Sequence, residues 1–409
     1  PGTLRLQARR SNHWATTTKI DHKILLAKLQ SLGVKGKAFK FIKNFLTNRT
    51  FQVKVGEHLS EERIVISGIP QGTCLGPILM LVMNFDIDSY IKHGQVGSFA
   101  DDSKVINKLT SATDTYKMQE DIENLERWTS MNNMQMNNEK FVLLSYNKNT
   151  EIDNSYKLSD GTIIKEKDQT KDLGVLMCND GQFTNHIIDT VSSCKRTISM
   201  IFRTFKTRND EVMITLYKSL VLSKLDYCSV LWCPSNLADL RKLEGIQSNF
   251  TSRMRCARTD MGEKRDYWQR LNYLGLYSIQ RRFERYSIIY VWKILHGLVH
   301  NPGLVFKKEG PVQKRHGLKC VVPKDTGKLR ESSFLVRGPN LFNSIPKDLR
   351  EYDLDNTINQ KQAVDNFKKR LDEYLQTIPD EPNIRSNYAK YMTGRTIYGE
   401  ATNSIIRKM

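Results

Sequence analysis

Long apolar runs are missing from this 409-residue sequence: the longest, Ile78 to Met83, has six residues, too few to cross a bilayer. Paired cysteines are missing as well. Cys74, Cys178, Cys194, Cys228, Cys233, Cys256 and Cys320 are scattered and odd in number, which argues against a disulfide framework or a four-cysteine zinc cluster and suggests a reducing, intracellular compartment, nucleus or cytoplasm. Glycine (23) and proline (11) are too few, and apolar residues (39%) too many, for a collagen-like, mucin-like or disordered chain. Negative charge is short: 44 acidic against 63 basic side chains leave a net +19, for which an acidic polymer such as nucleic acid is the natural partner. Neither a P-loop nor a dinucleotide fingerprint is present, and no Ser–His–Asp spacing stands out. An initial methionine is also missing. The Pro-Gly start is read as an incomplete N-terminus, and the first dozen residues, with Arg5, Arg9 and Arg10, lack the apolar stretch of a secretory signal.

Two periodicities divide what is present. In residues 20–46 Ile24, Leu25, Leu29 and Leu32, then Phe39, Ile42 and Phe45, recur at helical spacing, broken by Gly33 and Gly36. Phe51, Val53 and Val55 alternate with polar residues ahead of Ile64 to Ile66, the pattern of a β-hairpin. A buried helix is expected from Pro77 to about Ser89, two short strands over Val96 to Ile106, and an amphipathic helix over Ala112 to Met134 carrying Met118, Ile122, Leu125 and Trp128. Strands are expected at Phe141–Tyr146 and Asp172–Met177. Beyond about residue 180 the period is helical, through Phe183–Phe205, Asp210–Leu222, Leu237–Met254 and Tyr267–Leu298 to a final helix at Lys361–Leu375. Residues 301–335 form a basic, irregular connection.

The sharpest local feature is Phe99-Ala100-Asp101-Asp102, two adjacent acids between apolar strands. Such a pair must be solvated, ion-paired or neutralised by a divalent ion, and phosphoryl transfer uses carboxylates on a rigid turn in that way. An ordinary polar β-turn has the same letters. About thirty residues upstream, Ser67-Gly68-Ile69-Pro70-Gln71-Gly72-Thr73, then Leu75-Gly76-Pro77, supplies glycines that let a nucleic-acid strand or nucleotide pass close, an amide at Gln71, and a helix start. Asp86 and Asp88 read as helix-end solvation. Lys195, Arg196, Arg203, Lys206 and Arg208, then Arg253, Arg255 and Arg258, then Arg281, Arg282 and Arg285 are basic groups that suit phosphate contacts or plain solvated faces. Trp232, Trp268 and Trp292 suit a core. His296 and His300 suit a helix cap better than a metal.

The ordered series Ile20-Asp21-His22-Lys23, Ser67 to Pro77, Phe99 to Asp102, Asn137-Asn138-Glu139-Lys140 and Lys171-Asp172-Leu173-Gly174-Val175 resembles the reverse transcriptases of non-LTR retrotransposons, jockey-like elements in particular. The similarity continues through Tyr217 to Tyr227 and Trp232 to Asn340–Pro346. It implies an α+β chain: an unmatched segment 1–18, a truncated right-hand palm 19–180, a helical thumb-like region 181–260, a helical and basic region 261–375 and a polar tail 376–409. It implies Asp101 and Asp102 as catalytic, metal-holding acids for Mg²⁺ or Mn²⁺. Gly68, Pro70, Gln71, Gly72 and Lys140 would contact nucleotide or template, and Lys195, Arg196, Arg203, Lys206 and Arg208 the nucleic-acid backbone. The partners implied are an RNA template with a DNA primer or an RNA/DNA hybrid, deoxynucleotides if the chain is active, and no membrane.

One departure bears on activity. The family places a further catalytic aspartate nine residues before Asp21, where this sequence has Asn12, and Thr17 stands where the family carries an aromatic. The resemblance therefore implies an N-terminally truncated RNA-directed DNA polymerase whose two-metal nucleotidyl transfer is lost. A nucleic-acid-binding remnant and a protein-binding relic remain the alternatives.

Overall fold

A computed structural model describes every residue except 1, 10–19, 71, 101, 135–137, 147–154, 235, 308–318, 324–329, 331–332, 353–358, 379 and 381–409. Two compact units divide the chain: Pro1–Asp172 with Met177–Gly181, and Leu173–Leu176 with Gln182–Met409.

The first unit is a mixed α/β structure. Its sheet has five strands: β1 (Gly2–Arg9), β2 (Gln95–Phe99), β3 (Asp102–Leu109), β4 (Val142–Tyr146) and β5 (Lys165–Glu166), in the order β2-β3-β1-β4-β5. β1 lies in the middle, antiparallel to β3 and β4, with Leu6 opposite both Val105 and Leu143 and Arg9 opposite Asp102. The sequence reading assigned no element here, although Leu4, Leu6 and Ala8 alternate with Arg5, Gln7 and Arg9 at the period of a strand. The unit's helices are α1 (His22–Ser31), α2 (Gly36–Leu46), α3 (Leu75–Asn84) and α4 (Ala112–Met131); α4 packs on β3, and α1 packs on α2 and α3. The expected stripe of α4 is its core face: Met118, Ile122, Leu125 and Trp128 are buried with Leu25, Leu29, Leu79, Met83 and Val105.

Two expectations for this unit need correction, and the hairpin expected after residue 50 is present. The segment after Thr50 is a hairpin, paired Thr50–Phe51 with Arg63–Ile64 and Lys54–Val55 with His58–Leu59, yet Phe51, Val53, Val55, Leu59, Ile64 and Ile66 are all exposed. Alternation marks the pairing, and among the described residues of the unit none covers these side chains. The helix expected to be buried ends at Asn84, and it buries Leu79 and Met83 while Ile78 and Leu81 are exposed. In place of one strand over Asp172–Met177 there are two short strands, Gln169–Asp172 and Val175–Cys178, with the reversal at Leu173 and Gly174, which adopt φ of 45° and 84°.

The second unit is mostly helical: α5 (Thr184–Thr204), α6 (Asp210–Leu216), a π-helical turn at Tyr217–Leu222, α7 (Ser223–Asp226), α8 (Ser229–Trp232), α9 (Leu237–Thr251), α10 (Tyr267–Leu274), α11 (Ile279–Leu295), α12 (Phe334–Ser344), α13 (Lys347–Arg350) and α14 (Gln360–Gln376). α11 is its axis, with α8, α9, α12 and α14 packed on it. Trp232 and Trp292 are fully buried; Trp292 stacks on Phe367 with centroids 4.5 Å apart, and Trp232 meets Phe283 edge-on at 5.3 Å. No helix among the described residues is long and apolar enough to cross a membrane.

Candidate functional site

The acidic turn is built by β2 and β3. Phe99 pairs with Asp102, and Ala100 takes a left-handed φ of 52°. Asp102 therefore opens β3 rather than sharing the tip. Asp101 lies outside the described residues. The turn is held from below by α3, whose last residue, the buried Asn84, donates from Nδ2 to the Ala100 carbonyl oxygen at 3.0 Å. Ser98 and Ser103 hydroxyls meet at 3.1 Å across the same hairpin.

α3 is also the strut between the turn and the Gly-rich segment. Thr73 Oγ1 donates to the Pro70 carbonyl at 2.9 Å and accepts from Gly76 N at 3.2 Å, which starts the helix. Ten residues of helix, about 15 Å, then separate that start from Asn84. Gly68 and Gly72 take φ of 87° and 74°, conformations that favour glycine. Gln71 lies outside the described residues.

The Asp-His pair is a fastening. Asp21 caps α1 by accepting from Lys23 N (2.7 Å) and Ile24 N (3.2 Å), and takes a third bond from Asn133 Nδ2 (3.0 Å). Burial pushes its carboxyl up, but these hydrogen bonds outweigh it and hold the group below its usual value. His22 Nε2 meets the Gly68 carbonyl oxygen at 2.7 Å, and Gly68 N donates to Ile20 O at 2.9 Å, so the helix start anchors the Gly-rich segment. Asp86, expected to be merely solvated, accepts from Lys28 Nζ at 2.6 Å and Trp128 Nε1 at 2.8 Å, tying α1 and α4 to the end of α3.

A cation stands beside the acidic turn. Lys104, two residues along β3 from Asp102 and on the same side of the strand, reaches Asp172 Oδ2 at 2.7 Å with its stem over Gly97. Arg9 is the register partner of Asp102 on β1. Neither residue was singled out in the sequence as part of this site; 68 positions separate Lys104 from Asp172, and no local pattern announces such a pair. Asn12 and Thr17 lie outside the described residues. Lys140 ends a 3₁₀ turn, Asn138–Lys140, leading into β4. Asn138 lines a polar groove of about 910 Å³ with Glu123, Glu126 and Lys157. Among the described residues no group of three or more His, Cys, Asp or Glu is arranged to hold a metal ion.

In the second unit Lys195, Arg196, Arg203 and Lys206 are exposed, and the first three fall within roughly 100° of the α5 helical wheel. Arg208 turns back: its guanidinium donates to the Phe205 and Thr207 carbonyls at 2.6 and 2.8 Å and lies over the Phe202 ring. The third basic group is not a solvated or phosphate-facing surface. Arg282 is bidentate to Asp226 at 2.7 and 2.6 Å, Arg285 to Asp372 at 2.5 and 2.7 Å, and Arg281 is buried near Glu284 and Asp380. Two carboxyls are buried behind it. Glu244 accepts from the Tyr267 hydroxyl at 2.5 Å and Gln280 N at 3.0 Å, and Glu284 from Gln280 Nε2 at 3.1 Å. Burial pushes both up to about 7 against these bonds and, for Glu284, against Arg281.

Comparison with known proteins fits this arrangement to a class. Residues 18–177 match the reverse transcriptase (RNA-dependent DNA polymerase) family. The chain is 25% identical over 224 residues to the RNA-directed DNA polymerase from mobile element jockey of Drosophila melanogaster, covering 52% of this chain and 24% of that protein. It is 25% identical over 241 residues to the jockey polymerase of Drosophila funebris (56% and 26%), and 21% identical over 218 to the probable RNA-directed DNA polymerase from transposon X-element of Drosophila melanogaster (51% and 24%). The matched part thus spans about a quarter of these relatives' length. β1 precedes the segment that matches the family.

Proposed function

We propose that this chain is the palm-like and thumb-like part of a non-LTR retrotransposon RNA-directed DNA polymerase of jockey-like type, which grips template–primer duplex but does not itself extend a primer. The observation that supports the reading is the hairpin of β2 and β3, held at Ala100 by α3, within residues that match the reverse transcriptase family. Template, primer and deoxynucleotide are the partners of such a palm, and Gly68, Pro70, Gln71, Gly72 and Lys140 are its proposed contacts to them. On the second unit the exposed residues Lys195, Arg196, Arg203 and Lys206 are the proposed backbone contacts, and Arg208 is set aside because its guanidinium is spent on carbonyls.

Binding is tested by fluorescence anisotropy of an RNA/DNA hybrid across a salt titration. Dissociation constants on the order of 10⁻⁴–10⁻⁶ M are expected near physiological salt, and changing the four exposed residues to Gln should reduce the log–log salt slope by roughly 3 to 4. An unchanged slope removes the thumb-like surface from the proposal. Primer extension on an RNA template with Mg²⁺ or Mn²⁺, against an Asp101→Asn, Asp102→Asn control, tests the inactivity; extension above that control refutes it. A second reading, a protein-binding relic, has the exposed apolar side chains of the 50–66 hairpin in its favour.

A further inference from the structure

Positive charge is concentrated early in the first unit. From His22 to Gly56 the sequence carries eight basic side chains and no acidic one. A face that only keeps a helix in water mixes both signs, because a run of one sign repels itself. α2 lies at the centre of this stretch, and its apolar face is already docked: Leu46 is buried, and Ile42 and Phe45 pack on the core of the unit. The opposite face carries Lys37, Lys40 and Lys43, which fall within roughly 120° of the helical wheel along about 9 Å of axis. All three are exposed, and among the described residues none of them is ion-paired.

An aromatic ring borders this ladder. Phe41 follows Lys37 by one turn and is 62% exposed. Its ring stacks on that of the half-buried Phe45, with centroids 6.5 Å apart and planes at 16°, so it is steadied from the core side and turns most of its surface outward. Cations that track phosphates beside a ring on which a base can stack are what an unpaired strand requires. A duplex would use the lysines alone, since its bases already stack on one another. A membrane fits less well, because an interfacial helix inserts its apolar face and that of α2 is taken by the core.

We propose that α2 is a contact for single-stranded nucleic acid, with phosphates on Lys37, Lys40 and Lys43 and an unpaired base stacked on Phe41. This goes beyond the duplex grip assigned to α5 and uses none of its residues.

Fluorescence anisotropy of the full chain with labelled oligothymidylate of about 16 nucleotides decides it. The combined Lys37→Gln, Lys40→Gln, Lys43→Gln variant should reduce the log–log salt slope by roughly 2, each single-strand phosphate contact contributing about 0.7. Phe41→Ala should weaken binding roughly 5- to 150-fold with the slope unchanged, and Phe41→Trp should restore it. On the RNA/DNA hybrid Phe41→Ala should change nothing. Thermal unfolding midpoints at the wild-type value confirm that these exposed substitutions leave the fold intact. An unaltered slope in the lysine variant, or unaltered oligothymidylate affinity in Phe41→Ala, overturns the proposal. Equal losses on hybrid and oligothymidylate overturn the single-strand assignment. Binding to phosphatidylserine vesicles that the same variants abolish, with oligothymidylate affinity kept, overturns it in favour of a lipid surface. If the α5 substitutions leave hybrid binding unchanged, the duplex grip fails and the oligothymidylate result still stands.

Discussion

The two buried glutamates make the stability of the helical unit depend on pH in a direction opposite to that of most carboxylates. Burial pushes Glu244 and Glu284 up to about 7 in the folded chain, whereas an unfolded glutamate titrates near 4.3. Between those values the folded state keeps protons that the unfolded state has released. The stabilising contribution is therefore fully present below the unfolded value and is lost as pH rises through about 7. At about 1.4 kcal/mol per pH unit, the loss is on the order of 3 kcal/mol for each carboxyl. Glutamine copies the neutral form, so Glu244→Gln should remove about half of the decline, and Glu244→Gln with Glu284→Gln nearly all of it. Denaturant unfolding followed by tryptophan fluorescence, from about pH 5 to about pH 8, reads this directly, because Trp232 and Trp292 are buried in the same unit. The acids held low, Asp21 and Asp239 among them, lose their contribution only as pH falls below that interval. A midpoint that stays flat or rises toward pH 8, or equal slopes in wild type and the double variant, would refute the reasoning.

Two further outcomes follow from the geometry. Asp226→Ala leaves the half-buried Arg282 without its bidentate partner and should cost about 3 kcal/mol or more in unfolding free energy, with Asp226→Asn recovering part of it. Ala100→Gly should be neutral or stabilising by up to about 1 kcal/mol because φ at this position is 52°, while Ala100→Val should destabilise; a loss of stability on Ala100→Gly would show that the turn geometry is wrong.

What could be read from the sequence was whatever repeats at short range. The stripe Met118, Ile122, Leu125, Trp128 announced α4 and its buried face, and the alternation from Phe51 announced a hairpin. Burial of that hairpin did not follow, since alternation reports pairing and not what covers the strands. Charged partners were illegible for a different reason. Asp86 finds Lys28 and Trp128, Arg282 finds Asp226, and Arg285 finds Asp372 across 42 to 87 positions, so residues that look solvated in the sequence are bound in the fold. At the site, the Asp-His pair and the Gly-rich segment were recognised as blocks, but their mutual anchoring through His22 and Gly68 was not. β1 was illegible as a central strand because its short alternation of Leu4, Leu6 and Ala8 with Arg5, Gln7 and Arg9 says nothing of the distant strands it pairs with.

The central position of β1 also has a consequence for how the sheet can assemble. Leu6 must close a chain segment of about a hundred residues to reach Val105, and a longer one to reach Leu143. The entropy of the first closure alone is about 4 kcal/mol before any contact rewards it. Local elements, the helices and the hairpin of β2 and β3, can form without it, so insertion of β1 belongs late in folding and makes it slow. Until it arrives, β3 and β4 each present an open antiparallel edge. During that interval the chain is exposed to pairing with the same edges of its neighbours, and refolding yield should fall as concentration rises.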